Sequence, residues 1–184
     1  MKEPETLQDK VARVLAEPIV IVPYDPSWPQ MFLSEKHDLE ACLPRDLIRR
    51  IEHVGSTAVP GLCAKPIVDL LVEVTDLDDT RRRIAPILEA RNYDYFWRPS
   101  WGDDTPPFYA WFIKRNPSGV RTHHIHMVEA GFPQWDWLTF RDHLIAHPES
   151  ARQYGQLKQE LADRNLGRVA YTRAKGDFIR AALR

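Results

Sequence analysis

Apolar residues recur along this chain in two periods, and each period predicts its own kind of element. Leu7, Val11, Val14 and Leu15 repeat at three- and four-residue intervals behind Thr6, which predicts a short leading helix capped by Thr6 and packed on the outside of the fold. A β-branched run between prolines, residues 18–23, predicts a strand. The segment Tyr24-Asp25-Pro26-Ser27-Trp28-Pro29 then turns into a helix reaching about residue 42, with Ser27 as its cap. Residues 47–54 read as a strand stopped by Gly55. Residues 66–74 hold enough Ile, Val and Leu to be a strand buried on both faces. Between these strands lies a loop, residues 55–65. Beyond them, Asp76 or Asp78 caps a predicted helix carrying Leu77, Ile84, Ile87 and Leu88, followed by an edge strand at 93–97 and an exposed loop at 98–107. Residues 108–114 and 120–129 read as strands joined by Arg115-Asn116-Pro117-Ser118-Gly119, a hairpin composition that predicts antiparallel pairing. The last third changes to helical spacing over 135–146, 148–164 and 171–183. With no Gly/Ser linker in between, the chain reads as one α/β domain over 1–184: a leading helix at 1–17, a sheet core at 18–130, and a helical layer at 134–184 packed onto the sheet.

Composition narrows the function classes. A chain of 184 residues with 43% hydrophobic side chains buries a core without disulfides or a structural metal. Its 25 basic and 26 acidic residues nearly cancel, so no global field favours a nucleic-acid backbone or an anionic membrane, and any polyanion site must be local. Cys42 and Cys63 lack a metal-type spacing, the first residues lack a signal-peptide core, and no apolar run approaches a membrane span, which together predict a cytoplasmic protein. Asp103-Asp104 beside Gly102 reads as a solvated turn. Trp97, Trp101, Trp111, Trp135 and Trp137 read as core, with a pocket wall as the alternative.

The most informative string is Glu52-His53-Val54-Gly55-Ser56-Thr57-Ala58-Val59-Pro60-Gly61-Leu62, followed by Ala64-Lys65-Pro66-Ile67-Val68-Asp69. A strand ending in Gly55-Ser56-Thr57 brings the main chain close to a ligand and offers backbone N–H donors and two hydroxyls, which suit phosphate oxygens. The next strand delivers Asp69. Strand alternation puts Asp69, Leu71 and Glu73 on one face, with Glu73 roughly 6–7 Å further along. The competing reading is an ordinary turn followed by a strand-end carboxylate.

These strings resemble the GrpB family, and the resemblance extends to Tyr24-Asp25-Pro26-Ser27-Trp28, His123-His124-Ile125-His126, Phe140-Arg141-Asp142-His143-Leu144 and Tyr171-Thr172-Arg173-Ala174-Lys175. It implies a nucleotidyltransferase-like fold, a mixed sheet with flanking helices in which a Gly-Ser turn holds a triphosphate and strand carboxylates bind a divalent metal. Implied with it is transfer of a nucleotidyl group from a nucleoside triphosphate to a hydroxyl of a small acceptor. The chain departs from the superfamily at Leu71, which stands where a second carboxylate is usual, with Glu73 as the nearest substitute. One carboxylate is poor support for two cations. A non-catalytic nucleotide-binding or phosphate-binding module therefore stays open, as does a histidine-rich metal-dependent phosphohydrolase.

Further candidates surround this centre. Alternation puts Thr122, His124 and His126 on one strand face and Arg121, His123 and Ile125 on the other, so His124 and His126 are metal candidates opposite Asp69. Imidazoles favour Mn²⁺ or Zn²⁺ over Mg²⁺. His53 is read as a proton acceptor, a loop-orienting group or a phosphate ligand, with Asp69 and His53 as the catalytic pair. Lys65, Lys158, Tyr171 and Lys175 are candidates for phosphate charge and base stacking, and Tyr171 is equally a core residue.

Overall fold

The structure, a computed structural model, describes residues 5–100, 105–164 and 168–183. Its centre is a five-stranded sheet of β1 (Ile48–Val54), β2 (Val68–Val74), β3 (Asp94–Pro99), β4 (Phe108–Arg115) and β5 (Arg121–Val128). The spatial order is β1-β2-β5-β4-β3. β1–β2, β3–β4 and β4–β5 pair antiparallel, the last of them as the turn residues between β4 and β5 predict. The central pair β2–β5 is parallel and sets Asp69 beside His124 and Leu71 beside His126.

The two sheet faces follow from alternation along these strands. Val68, Leu70, Val72, Val74, Phe112, Ile125 and Met127 form the closed face. They pack with Trp28 and Leu39 of α2 (Trp28–Cys42) and with Ile84, Ala85 and Leu88 of a helical segment. That segment runs through α3 (Leu77–Asp79), a π turn (Thr80–Ile84) and α4 (Ala85–Glu89), and Asp76 is its cap, accepting from the Asp79 amide. The open face carries Asp69, Leu71, His124, His126, Tyr109, Trp111 and Phe96. It is roofed in part by Trp135, Trp137 and Leu138.

The C-terminal helices are α5 (Asp136–Ala146), α6 (Pro148–Asp163) and α7 (Arg168–Ala182). Phe140, Leu144 and Tyr154 close on Val59 and Leu62, so this layer grips the 55–65 loop, while Arg141 donates to the His53 carbonyl at the edge of β1. The leading helix α1 (Leu7–Ala16) starts in a capping box. Thr6 Oγ1 accepts from the Asp9 amide, and the Asp9 carboxylate accepts from the Thr6 amide. It is fastened to the sheet by Arg13–Asp94, Glu17–Arg115 and Glu17–Arg121, and it buries Val14 in the open-face cluster.

Some expectations change. Residues 18–23 are not a strand: only Val22 pairs, in an isolated bridge with Ala64, because the flanking prolines bring no ladder donors and Val20 stays exposed. Ser27 precedes α2 without capping it through its side chain, and Asp25 instead accepts from the Ser27 amide. Trp101, Gly102, Asp103 and Asp104 lie outside the described residues. Both cysteines are free, and no helix among the described residues is long and apolar enough to cross a membrane.

Candidate functional site

The geometry begins with Gly55, at φ 74° and ψ −173°, a backbone conformation side chains resist. A Cβ there would stand 2.6 Å from Asp69 Oδ2, so only glycine lets the turn close against the carboxylate. Ser56–Ala58 then form a 3-10 turn in which Ala58 donates to the Gly55 carbonyl and Val59 to the Ser56 carbonyl. The amides of Ser56 and Thr57 open that turn and are not used by it.

Asp69 meets two imidazoles across the parallel pair. His124 Nδ1 lies 3.0 Å and His126 Nε2 3.7 Å from Asp69 Oδ1, and one ligand atom from each of the three residues fits within 4.8 Å of the others. Burial opposes ionisation of Asp69, but the hydrogen bond from His124 and the nearby His126 imidazole outweigh it and hold the carboxyl well below the usual range. Burial pushes His124 down to about 4, against the pull of Asp69, and lowers His126 as well. At neutral pH the set is an anionic carboxylate with neutral imidazoles, the protonation state that metal ligation requires. One oxygen and two nitrogen donors at these separations fit a single cation with bonds of about 2.0–2.2 Å.

Neighbouring groups hold the triad. Tyr109 Oη lies 3.3 Å from His126 Nδ1, and burial raises that phenol to about 12. Trp111 stands 5.1 Å and 6.1 Å, ring to ring, from His124 and His126, while Trp137 meets His126 edge-on at 4.9 Å. Arg121 does not follow the alternation predicted for it. Its guanidinium reaches the open face, 3.4 Å from His124 Nε2, bonded to Glu17 and to the Val14 carbonyl, because the register of β4 and β5 shifts between Lys114 and Arg115.

The other sequence candidates divide. Lys65 and Lys175 place their ammonium groups 4.4 and 4.8 Å from the Tyr171 ring, and Asp69 acts on Lys175 against the burial that lowers its pKa. Tyr171 is only 1% exposed and serves as the base on which the lysines gather. Lys158, 2% exposed, donates to the Cys63 carbonyl beneath the loop, and burial brings its pKa down to about 7. His53 points to the closed face: it pairs with Leu70, stacks on Phe32 at 4.8 Å, and reaches the loop through Thr57 Oγ1 at 3.0 Å. Burial pushes it down to about 4. Glu73 shares the face of Asp69, but its carboxylate is bound by Arg50 at 2.7 Å. Leu71, 0% exposed, fills the space between with apolar packing. Tyr109 and Arg98 were not singled out from sequence, although alternation along 108–114 puts Tyr109, Trp111 and Ile113 on one face, and the hairpin brings that face opposite His126.

Comparison with known proteins agrees with the strings that built this site. The family described as "GrpB protein" matches residues 18–184. A UPF0157 protein of Pseudomonas aeruginosa is 42% identical over 165 residues, which cover 88% of this chain and 64% of that protein. The UPF0157 protein YqkA of Bacillus subtilis is 33% identical over 166 residues, covering 89% of this chain and 46% of its own length. The chain thus spans about half to two thirds of these curated relatives. The crystal structure of conserved protein GrpB from Enterococcus faecalis superposes with a TM-score of 0.67 at 27% identity, covering 90% of this chain and 100% of that one. The Gly55 turn, the Asp69 strand and the paired histidines are therefore parts of a shared domain, and the chain belongs to the GrpB family.

Proposed function

We propose that this site on the open face binds a nucleoside triphosphate with one divalent cation and transfers its nucleotidyl group to a hydroxyl on a small acceptor, on a nucleotidyltransferase-like scaffold. The observation that carries the reading is the Asp69–His124–His126 triad pressed against the Gly55 turn. A cation held by those three residues supplies Lewis-acid polarisation of a phosphoryl oxygen, and the imidazole donors favour Mn²⁺ or Zn²⁺ over Mg²⁺. The chain's own groups do the rest. The Ser56 and Thr57 amides and the Ser56 hydroxyl take phosphate oxygens, Lys65 and Lys175 balance charge, and His53 braces the loop through Thr57. Lys158 forms the floor under that loop.

Leu71 supports a second reading. With an apolar side chain where a second carboxylate would stand, the face provides for one ion, which fits nucleotide binding without turnover or single-ion phosphate hydrolysis. Titration of the protein with nucleoside triphosphates under Mg²⁺, Mn²⁺ and Zn²⁺, beside Asp69→Ala, separates these readings. The transfer reading expects metal-dependent binding that Asp69→Ala abolishes, and pyrophosphate release that needs an acceptor. Binding indifferent to metal with no pyrophosphate supports the binding module. Orthophosphate release without acceptor supports the hydrolase, and no binding by folded protein removes all three.

A further inference from the structure

We propose that the triad has a second anion-binding lobe on its β4 side, formed by Arg98 and Trp111, and that it receives a carboxylate or phosphate group carried by the acceptor. The lobe stands on its own observations, whereas its assignment to an acceptor rests on the transfer reading above.

Two donors without an acceptor among the described residues lie there. The Trp111 side chain is 8% exposed, and its indole N–H is buried with no acceptor among the described residues. An indole nitrogen can only donate, so burial without an acceptor leaves it unsatisfied. Trp135, packed against the same open-face cluster, shows the ordinary solution by donating to the Glu129 carbonyl at 3.1 Å. The Arg98 guanidinium lies 4.8 Å over the Trp111 ring and 5.7 Å over that of Tyr109, with no carboxylate partner among the described residues. The other arginines reaching this face are paired: Arg13 and Arg115 with Asp94, Arg50 with Glu73, Arg121 with Glu17, and Arg141 with Glu52. An oxyanion beside Trp111 would satisfy both donors at once.

Position assigns the lobe to the acceptor. In the order β1-β2-β5-β4-β3, the Gly55 turn lies on the β1–β2 side of the triad, with Lys65 following on the same loop. Trp111 and Arg98 lie on the other side, on β4 and β3. In-line displacement at phosphorus puts the incoming and departing oxygens on opposite sides. The acceptor oxygen bonds to the α-phosphorus as that atom's bond to the oxygen bridging the β-phosphate breaks. Pyrophosphate then leaves toward the lysines, and the hydroxyl proton passes to solvent. The acceptor therefore approaches from the lobe holding Arg98 and Trp111, and those donors fit one that carries its own negative group.

The test follows the indole N–H resonances of the ¹⁵N-labelled full chain, with Trp111 assigned by its loss in Trp111→Phe. Inorganic phosphate and acetate are titrated separately in the presence of Mg²⁺. The expected result is a saturable shift of the Trp111 resonance with at least one of them, and the more effective anion names the acceptor group. Arg98→Gln should weaken that response about tenfold, whereas Lys175→Gln should leave it unchanged. The remaining indole resonances report whether the Arg98→Gln protein is folded. A Trp111 resonance unmoved by both anions, or moved equally in Arg98→Gln, overturns the lobe. Parallel calorimetry with nucleoside triphosphate keeps the two ideas apart. Loss of nucleotide binding with the Trp111 response intact removes the transfer reading and leaves the anion site, while nucleotide binding with a silent Trp111 does the reverse.

Discussion

The two faces of the sheet are written in the same strands, one residue out of step, and they do opposite things. On the closed face Val68, Leu70, Phe112, Ile125 and Met127 are fully buried and pack against apolar side chains from α2 and the α4 region, with His53 beside Leu70 as a polar neighbour. On the open face the alternate positions are Asp69, Leu71, His124, His126 and Trp111, where charge, imidazole and an unsatisfied indole coexist with apolar packing. The larger apolar cluster lies on the closed face, while the open face gathers the carboxylate, the paired imidazoles and the unsatisfied indole. Leu71 is the residue that mixes the two roles.

The largest effect should come from the closed face. Phe112→Ala removes a fully buried ring and is expected to lower unfolding free energy by about 3–5 kcal/mol in urea titration, while protein still folded binds metal as before. Loss of metal affinity at equal folded fraction would break the division between faces. Next comes Gly55→Ala, which combines a positive φ with a Cβ 2.6 Å from Asp69 Oδ2. It should destabilise by about 1–3 kcal/mol and, unlike Phe112→Ala, abolish metal and nucleotide binding in the folded protein, measured by calorimetry.

Histidines sharpen the contrast, since His53 faces one side of the sheet and His124 the other. His53 protonates near 4 in the folded protein and near 6.5 when unfolded, so between those values the unfolded chain holds more protons. Stability should therefore fall as pH drops from about 6.5 to about 4, and His53→Gln should flatten that slope in denaturation curves taken across the window. In NMR spectra an added cation should shift the His124 resonances and leave those of His53 nearly still. The smallest effect belongs to Glu73→Gln. Its half-exposed bond to Arg50 is worth about 0–1 kcal/mol, and metal affinity measured beside the parent protein should not change.

Sequence pattern reached most of the fold and part of the site. Local signals set the helix starts at Thr6 and Asp76, the hairpin at 115–119 and the alternation that joins His124 to His126. What escaped was set by distant partners. Whether His53 or its neighbours face the ligand depends on which residue of β2 lies across from it, and that residue is Leu70. Arg121 left its expected face because of a register shift in another strand, and Lys158 found a carbonyl in a loop far away in sequence. The stretch at 18–23 has strand composition but prolines at both ends, and composition alone does not supply a neighbouring strand.

The parallel pairing of β2 with β5 also bears on how the chain becomes a protein. The ladders on either side of it, β1 with β2 and β4 with β5, join segments close in sequence and can zip early, whereas Asp69 and His124 are 55 positions apart. During synthesis Asp69 does not meet His124 and His126 until β5 has emerged and the halves have docked. A ligand that fits the finished seam gains nothing from either half alone, so its presence slows the opening of the whole molecule and makes its melting temperature a gauge of ligand concentration.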